Sequence, residues 1–118
     1  MIARRALSRT QERTVADEST ITVVDAADEG RFEVHVDGVR AGFTEYRDRD
    51  GLRTFPHTEI DDAYAGQGLA TRVIREGLDA TRAAGLRVRP VCPAVSGFIK
   101  KNPDYADLVP EEYRDSIS

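Results

Sequence analysis

Polar and apolar positions change period three times along this chain, and the changes outline the fold. An apolar segment opens at Ile21, just after Thr20, and runs through Val23 and Val24, which reads as a short strand. Phe32, Val34 and Val36 then alternate with Glu33, His35 and Asp37, the period of a half-buried strand. Asp37-Gly38 marks a two-residue hairpin, because a type I′ turn needs positive φ at both central positions. Val39 to Tyr46 continues as the next strand, Arg47 to Gly51 form a charged turn, and Leu52 to Ile60 return as a fourth strand. Pro56 falls inside that run and removes one ladder hydrogen bond, which predicts a bulge or an edge there.

From Gly68 to Ala84 the period becomes helical. Leu69, Val73, Ile74, Leu78 and Ala80 lie near one face, and Arg72, Arg75, Glu76, Asp79 and Arg82 fall mostly on the other. Gly85 supplies the left-handed stop of a C-terminal cap. Leu86 to Val91 reads as a fifth strand and Ala94 to Lys101 as a second helix, ended by Asn102-Pro103. Tyr105, Leu108, Val109 and Tyr113 give the tail enough apolar surface to dock as short turns. The pattern predicts a single α+β domain: a mixed, mostly antiparallel sheet of about five strands with two main helices.

Composition narrows the class. A chain of 118 residues is one domain, expected over residues 20–118, and 40% apolar with 32% charged residues is a soluble globular balance. Residues 1–19 include basic residues but no continuous apolar run, so a flexible tail accounts for them better than a signal or transit peptide. No apolar run approaches the roughly 20 residues that span a bilayer, so no membrane partner is expected. A net charge of −4, with arginines scattered among acids, argues against nucleic-acid binding. One cysteine, Cys92, excludes an intrachain disulfide and suits a reducing, cytoplasmic setting. The expected state is a monomer or weak dimer, and no residue cluster suggests a metal site.

The chemical signal is DDAYAGQGLATRV, between the fourth strand and the first helix. Gly66 and Gly68 allow close backbone approach, and a helix start leaves its first N–H groups unpaired. Those donors and the positive end of the helix dipole suit a pyrophosphate. No Gly-Lys-Ser/Thr follows, so this is not a nucleoside-triphosphate loop. Thr71 stands where a dinucleotide fingerprint has its third glycine, and the preceding strand is antiparallel. From the loop alone, an anion site and a plain glycine-rich turn both remain open.

AGQGLATRVIREGLDATRAAGLRVRPVCP resembles the acetyl-CoA-binding motif of the GNAT superfamily, Gln/Arg-x-x-Gly-x-Gly/Ala, with Gly68 and Ala70 at its fourth and sixth positions and Ala65 where Gln or Arg is usual. HTEIDDAYAGQGLA and RPVCPAVSGFIKKNPDYADLV are more closely similar to a minimal GNAT-like branch of small N-acetyltransferase domain proteins, over about residues 20–109. The resemblance implies a cofactor, acetyl-CoA or CoA, wedged where the fourth and fifth strands splay. Its pantetheine would pair with backbone near Thr58, Glu59 and Ile60, and its pyrophosphate would meet Ala65, Gly66, Gln67, Gly68, Leu69, Ala70 and Thr71. The implied activity is acetyl-CoA-dependent N-acetyltransfer to an amine, such as a protein lysine or a polyamine-like acceptor. The alternative is a non-catalytic CoA-binding sensor or scaffold.

Ordinary members carry helices between their first two strands, whereas only Asp25 to Arg31 intervene here, so an open acceptor site is expected. Backbone N–H near Ile60 is the candidate oxyanion donor, and Glu59 and His57 are candidate bases. A packing or surface role for His57 and an exposed strand carboxylate for Glu59 are the plain alternatives. Many GNAT enzymes place Asn after the fifth strand and Tyr seven residues later; here those positions hold Cys92 and Ile99. Tyr105 or water would have to replace the missing acid, or the chemistry would pass through Cys92, whose plain alternative is a small buried hydrophobe.

Overall fold

A computed structural model describes residues 20–117; the expected N-terminal tail, residues 1–19, lies outside the described residues. Among the described residues, seven strands, two α-helices and several 3-10 turns follow in the order β1 (Ile21–Ala26), β2 (Arg31–Val36), β3 (Val39–Glu45), β4 (Arg47–Arg49), β5 (Leu52–Thr54), β6 (Thr58–Ile60), α1 (Leu69–Ala83), β7 (Arg87–Arg89) and α2 (Pro93–Lys101). The domain is α+β, as the periodicities predict. Its strands divide into two sheets, β1-β2-β3-β6 and β4-β5-β7, where about five strands in one sheet were expected.

The hairpin between β2 and β3 turns at Asp37 and Gly38, both at positive φ (51° and 84°). A second turn of the same kind stands at Asp50 and Gly51, φ 53° and 80°. The segment read as a charged turn from Arg47 is therefore mostly strand: Arg47 faces Thr54 and Arg49 faces Leu52 across a short antiparallel ladder. Strictly charged residues can form a strand here because β4 is exposed along its whole length.

Leu52 to Ile60 is one run that belongs to two sheets. Its first half, β5, pairs in parallel with β7, Arg53 facing Val88. Its second half, β6, pairs antiparallel with β3, Glu59 facing Phe43. The change falls at Pro56. Phe55 donates its N–H to Arg89 and accepts from Cys92, whereas the carbonyl of His57 accepts from Glu45 on the β3 side. Proline has no N–H to continue either ladder. The predicted bulge or edge is thus a full change of partner.

Alternation divides the four-stranded sheet into two faces. Phe32, Val34, Thr44, Thr58 and Ile60 point toward α1, which buries Leu69, Val73, Ile74 and Leu78 against them. Burying each such apolar side chain stabilises the fold by about 1.5–3 kcal/mol. Gly77 completes the contact: a Cβ there would lie 3.1 Å from the Phe32 ring. The helix ends in a Schellman motif, Gly85 N–H to Arg82 C=O and Leu86 N–H to Thr81 C=O, confirming the stop read at Gly85. The opposite face carries Arg31, Glu33, His35, Phe43, His57 and Glu59. Only a 3-10 turn, Ala27–Glu29, separates β1 from β2, so no connecting helix covers that face.

Arg53 ties the sheets to α1. It is 7% exposed, forms a two-pronged ion pair with Asp48 (2.7 and 2.8 Å), and stacks 4.1 Å from the Tyr46 ring centroid. Burial, then the hydrogen bond to Asp25, pushes the Tyr46 phenol up to about 12.

At Gly42 the β3 backbone passes so close to β6 that an added Cβ would lie 2.5 Å from both the Glu59 carbonyl oxygen and Ile60 Cδ1. A Gly42→Ala variant is expected to lose about 2 kcal/mol of stability, the cost of overpacking against backbone. Urea unfolding measures this, and an unchanged midpoint would mean that β6 moves aside freely.

Candidate functional site

Among the described residues, the partner change at Pro56 leaves one edge of β6 without a strand. Ala41 C=O accepts from Asp61 and Glu45 donates to His57, so the backbone groups of His57, Glu59 and Asp61 turn toward β3. By alternation, the N–H and C=O of Thr58 and Ile60 turn the other way, into the gap between β6 and the segment after β7. Of the predicted backbone contacts, Thr58 and Ile60 are available in that gap; the Glu59 backbone faces β3.

The loop beyond β6 leads into α1. A 3-10 turn, Asp62–Tyr64, ends with the Ala65 N–H donated to Asp62 at 3.2 Å, so that amide is already committed. Gly66 and Gly68 take φ of 81° and 75°, and a Cβ built on either meets nothing within 4 Å. The glycines are needed for the backbone path and look onto open space. Gly68 is the N-cap and offers no side-chain cap. The first intrahelical donor is Arg72, bonded to Gly68, so the N–H groups of Leu69, Ala70 and Thr71 precede the helix's own ladder. Gln67 is exposed, while the Leu69 side chain is buried and contributes only its backbone.

A groove of about 500 Å³ opens beside this helix start. Ala70, Thr71 and Ile74 form one wall; Pro93, Ala94, Gly97 and Phe98 of α2 form the other, with Lys101 and Asn102 at the end of the same stripe. A glycine-rich loop with open space beside it, backbone N–H groups that precede the helix ladder, a free strand edge and an adjoining groove fit an extended ligand with an anionic segment.

The candidate catalytic residues separate into two groups. His57 and Glu59 come together on the open sheet face, Nε2 to Oε1 at 3.2 Å, with side chains 55% and 58% exposed. The His57 ring meets Phe43 edge-on at 6.2 Å. Cys92 lies on the other side of β6. It is 4% exposed, and its thiol donates to Thr58 Oγ1 at 3.5 Å, which in turn shares a 2.8 Å hydrogen bond with Thr44 Oγ1. The strand therefore stands between Cys92 and the His57–Glu59 pair; the sequence alone suggested one cluster. Alternation on β6 explains the division, because residues 57 and 59 share a face that residue 58 does not.

Ile99, at the position where the resembled enzymes carry a tyrosine, is 1% exposed and packs in the core. Tyr105 does not replace it: its hydroxyl donates to Asp79 of α1 at 2.8 Å and its ring packs on Phe98. Burial and the Asp79 hydrogen bond both raise the Tyr105 phenol above its usual range. Sequence reasoning missed the Thr44–Thr58–Cys92 chain and the α2 wall of the groove. A β-branched polar residue at Thr58 carried no signal by itself, and Ala94 to Lys101 read only as a second helix. Among the described residues no group of three metal-ligating side chains comes together, and no helix is long and apolar enough to cross a membrane.

Protein NATD1 of Bos taurus is 38% identical over 47 residues, 40% of this chain; the match spans 42% of that relative's length. The sequence profile described as GCN5-related N-acetyl-transferase matches residues 31–108, which include both sheets from β2 onward, the glycine loop, α1 and α2. On that match, the chain belongs to the GCN5-related N-acetyltransferase family.

Proposed function

We propose that this domain uses acetyl-CoA to acetylate a primary amine by direct transfer. The observation that carries the reading is the unpaired β6 edge running into the glycine-rich N–H cradle. Thr58 and Ile60 would pair with the pantetheine amides, and the N–H groups of Gly66, Gln67, Gly68, Leu69, Ala70 and Thr71 would surround the pyrophosphate. When bound, acetyl-CoA supplies a thioester carbonyl that is attacked by a neutral amine.

The chain's own residues then divide the work. The outward N–H of Thr58 or Ile60 is the donor available to a developing oxyanion. Glu59, held 3.2 Å from His57, accepts the proton of the incoming ammonium, directly or through water. With Ile99 buried and Tyr105 bound to Asp79, the leaving group takes its proton from solvent, which the open face admits. Burial of the Cys92 thiol favours direct transfer over an acetyl-cysteine relay, because a nucleophile needs an accessible thiolate.

Among the described residues no helix covers the face bearing His57, Glu59 and Phe43, which suits a lysine side chain on a polypeptide, or a polyamine, better than an enclosed amino acid. A second reading, CoA binding without turnover, draws on the buried Ile99 and on the engagement of Tyr105 with Asp79.

Three outcomes are expected. CoA should raise the melting temperature by mass action, and Gly68→Asp, which puts a carboxylate into the cradle, should abolish the shift. No shift with wild type at millimolar CoA would defeat the proposal. With labelled acetyl-CoA, lysine-bearing peptides or polyamines should show higher kcat/KM than free amino acids, and Glu59→Gln should lower kcat roughly a hundredfold. CoA stabilisation with no transfer to any amine would select the non-catalytic reading. Iodoacetamide should modify Cys92 slowly in the folded protein, and Cys92→Ala should retain most transfer. An acetyl group accumulating on Cys92 in the intact mass would contradict direct attack.

A further inference from the structure

The groove beside the α1 start has a charge at its far end that the proposed chemistry does not use. Pro93, Gly97 and Lys101 recur every four residues along one stripe of α2, and each lines the groove. From Pro93 to Lys101 a helix rises about 12 Å. The Pro93 end follows directly on Cys92, which bonds to Thr58 at the β6 edge. Lys101 therefore stands a helix-length away from the splayed strands, in the same groove as the Ala70 and Thr71 amides.

Its neighbours leave its ammonium uncommitted. The Lys101 side chain forms no ion pair or hydrogen bond among the described residues. Asn102, the next lining residue, spends its amide on the Phe98 carbonyl at 2.8 Å, closing the last turn of α2. Lysines at a helix C-terminus have a general reason to be there, since the dipole favours cations. Lys100 satisfies that reason equally well but does not line the groove, so the position of Lys101 is not explained by the helix end alone. The whole chain carries −4, so an anion approaching this surface meets net repulsion that a local cation must offset.

We propose that Lys101 is a specificity residue for the 3′-phosphate of CoA, making the groove discriminate CoA from 3′-dephospho-CoA. The inference rests on the reading that CoA binds along β6 and the glycine loop. A phosphomonoester on the ribose is the part of CoA that carries an extra charge beyond the pyrophosphate. A lysine acts on it as a flexible point charge and needs no fixed bidentate geometry. The contact is solvent-exposed, so its worth is small and salt-dependent.

Isothermal titration of the full chain with CoA and with 3′-dephospho-CoA tests this. Wild type should bind CoA about fivefold more tightly than dephospho-CoA at low salt. In Lys101→Ala that preference should collapse, with dephospho-CoA affinity unchanged, while Lys101→Arg and the control Lys100→Ala should keep it. Raising the salt to 0.5 M should shrink the wild-type preference toward unity. If CoA binds wild type and Lys101→Ala equally well, or Lys100→Ala loses the preference as fully as Lys101→Ala, the assignment of Lys101 is wrong while the CoA reading survives. If neither ligand binds wild type, the underlying reading has failed instead.

Discussion

Everything distinctive in this domain follows from a strand that changes partner halfway along. Leu52 to Thr54 lies between β4 and β7; Thr58 to Ile60 has β3 on one side and, among the described residues, no strand on the other. Pro56 sits at the change, where it can serve neither ladder. Backbone polar groups seldom go unpaired when buried. An edge aimed into a gap, with Thr58 and Ile60 turned toward it, is therefore a place for a ligand that can hydrogen-bond like a strand. The glycine loop and the first turn of α1 extend that edge with further N–H groups, and α2 closes the far side.

The fold's rigid parts support this opening. Gly42 brings β3 hard against β6, which holds the free edge in position. Arg53, paired with Asp48 and stacked on Tyr46, bridges the smaller sheet and reaches Thr81 of α1 at 3.4 Å. Cys92 and Thr58 connect the two sides of the splay at its closed end. Packing explains why a buried cysteine occupies this position: it fills the apex and satisfies the Thr58 hydroxyl.

Much of this was readable from residue order. Alternation at Phe32, Val34 and Val36, the Asp37-Gly38 turn, the helical stripe from Leu69 to Leu78 and the Gly85 stop all rest on local rules, and each appears in the structure. Two features did not follow locally. Arg47 to Arg49 forms a strand because a neighbouring strand accepts it, although its three charged residues read as a turn. The division of Leu52–Ile60 between two sheets depends on where β7 arrives after a helix crossover, which Pro56 hinted at without determining. The candidate site shows the same limit. The glycine loop was visible because its chemistry is contiguous, whereas the faces of His57, Glu59 and Cys92 depend on a strand's alternation across an irregular residue.

The central claim is that one continuous surface, the β6 edge and the start of α1, receives CoA. Amide NMR during a CoA titration tests it residue by residue. The account requires saturable shifts at the N–H groups of Thr58 and Ile60 and from Gly66 to Thr71, with Glu59, whose N–H is engaged by β3, moving less than its two neighbours. Saturable shifts confined to other surfaces, or none at millimolar CoA, would contradict it.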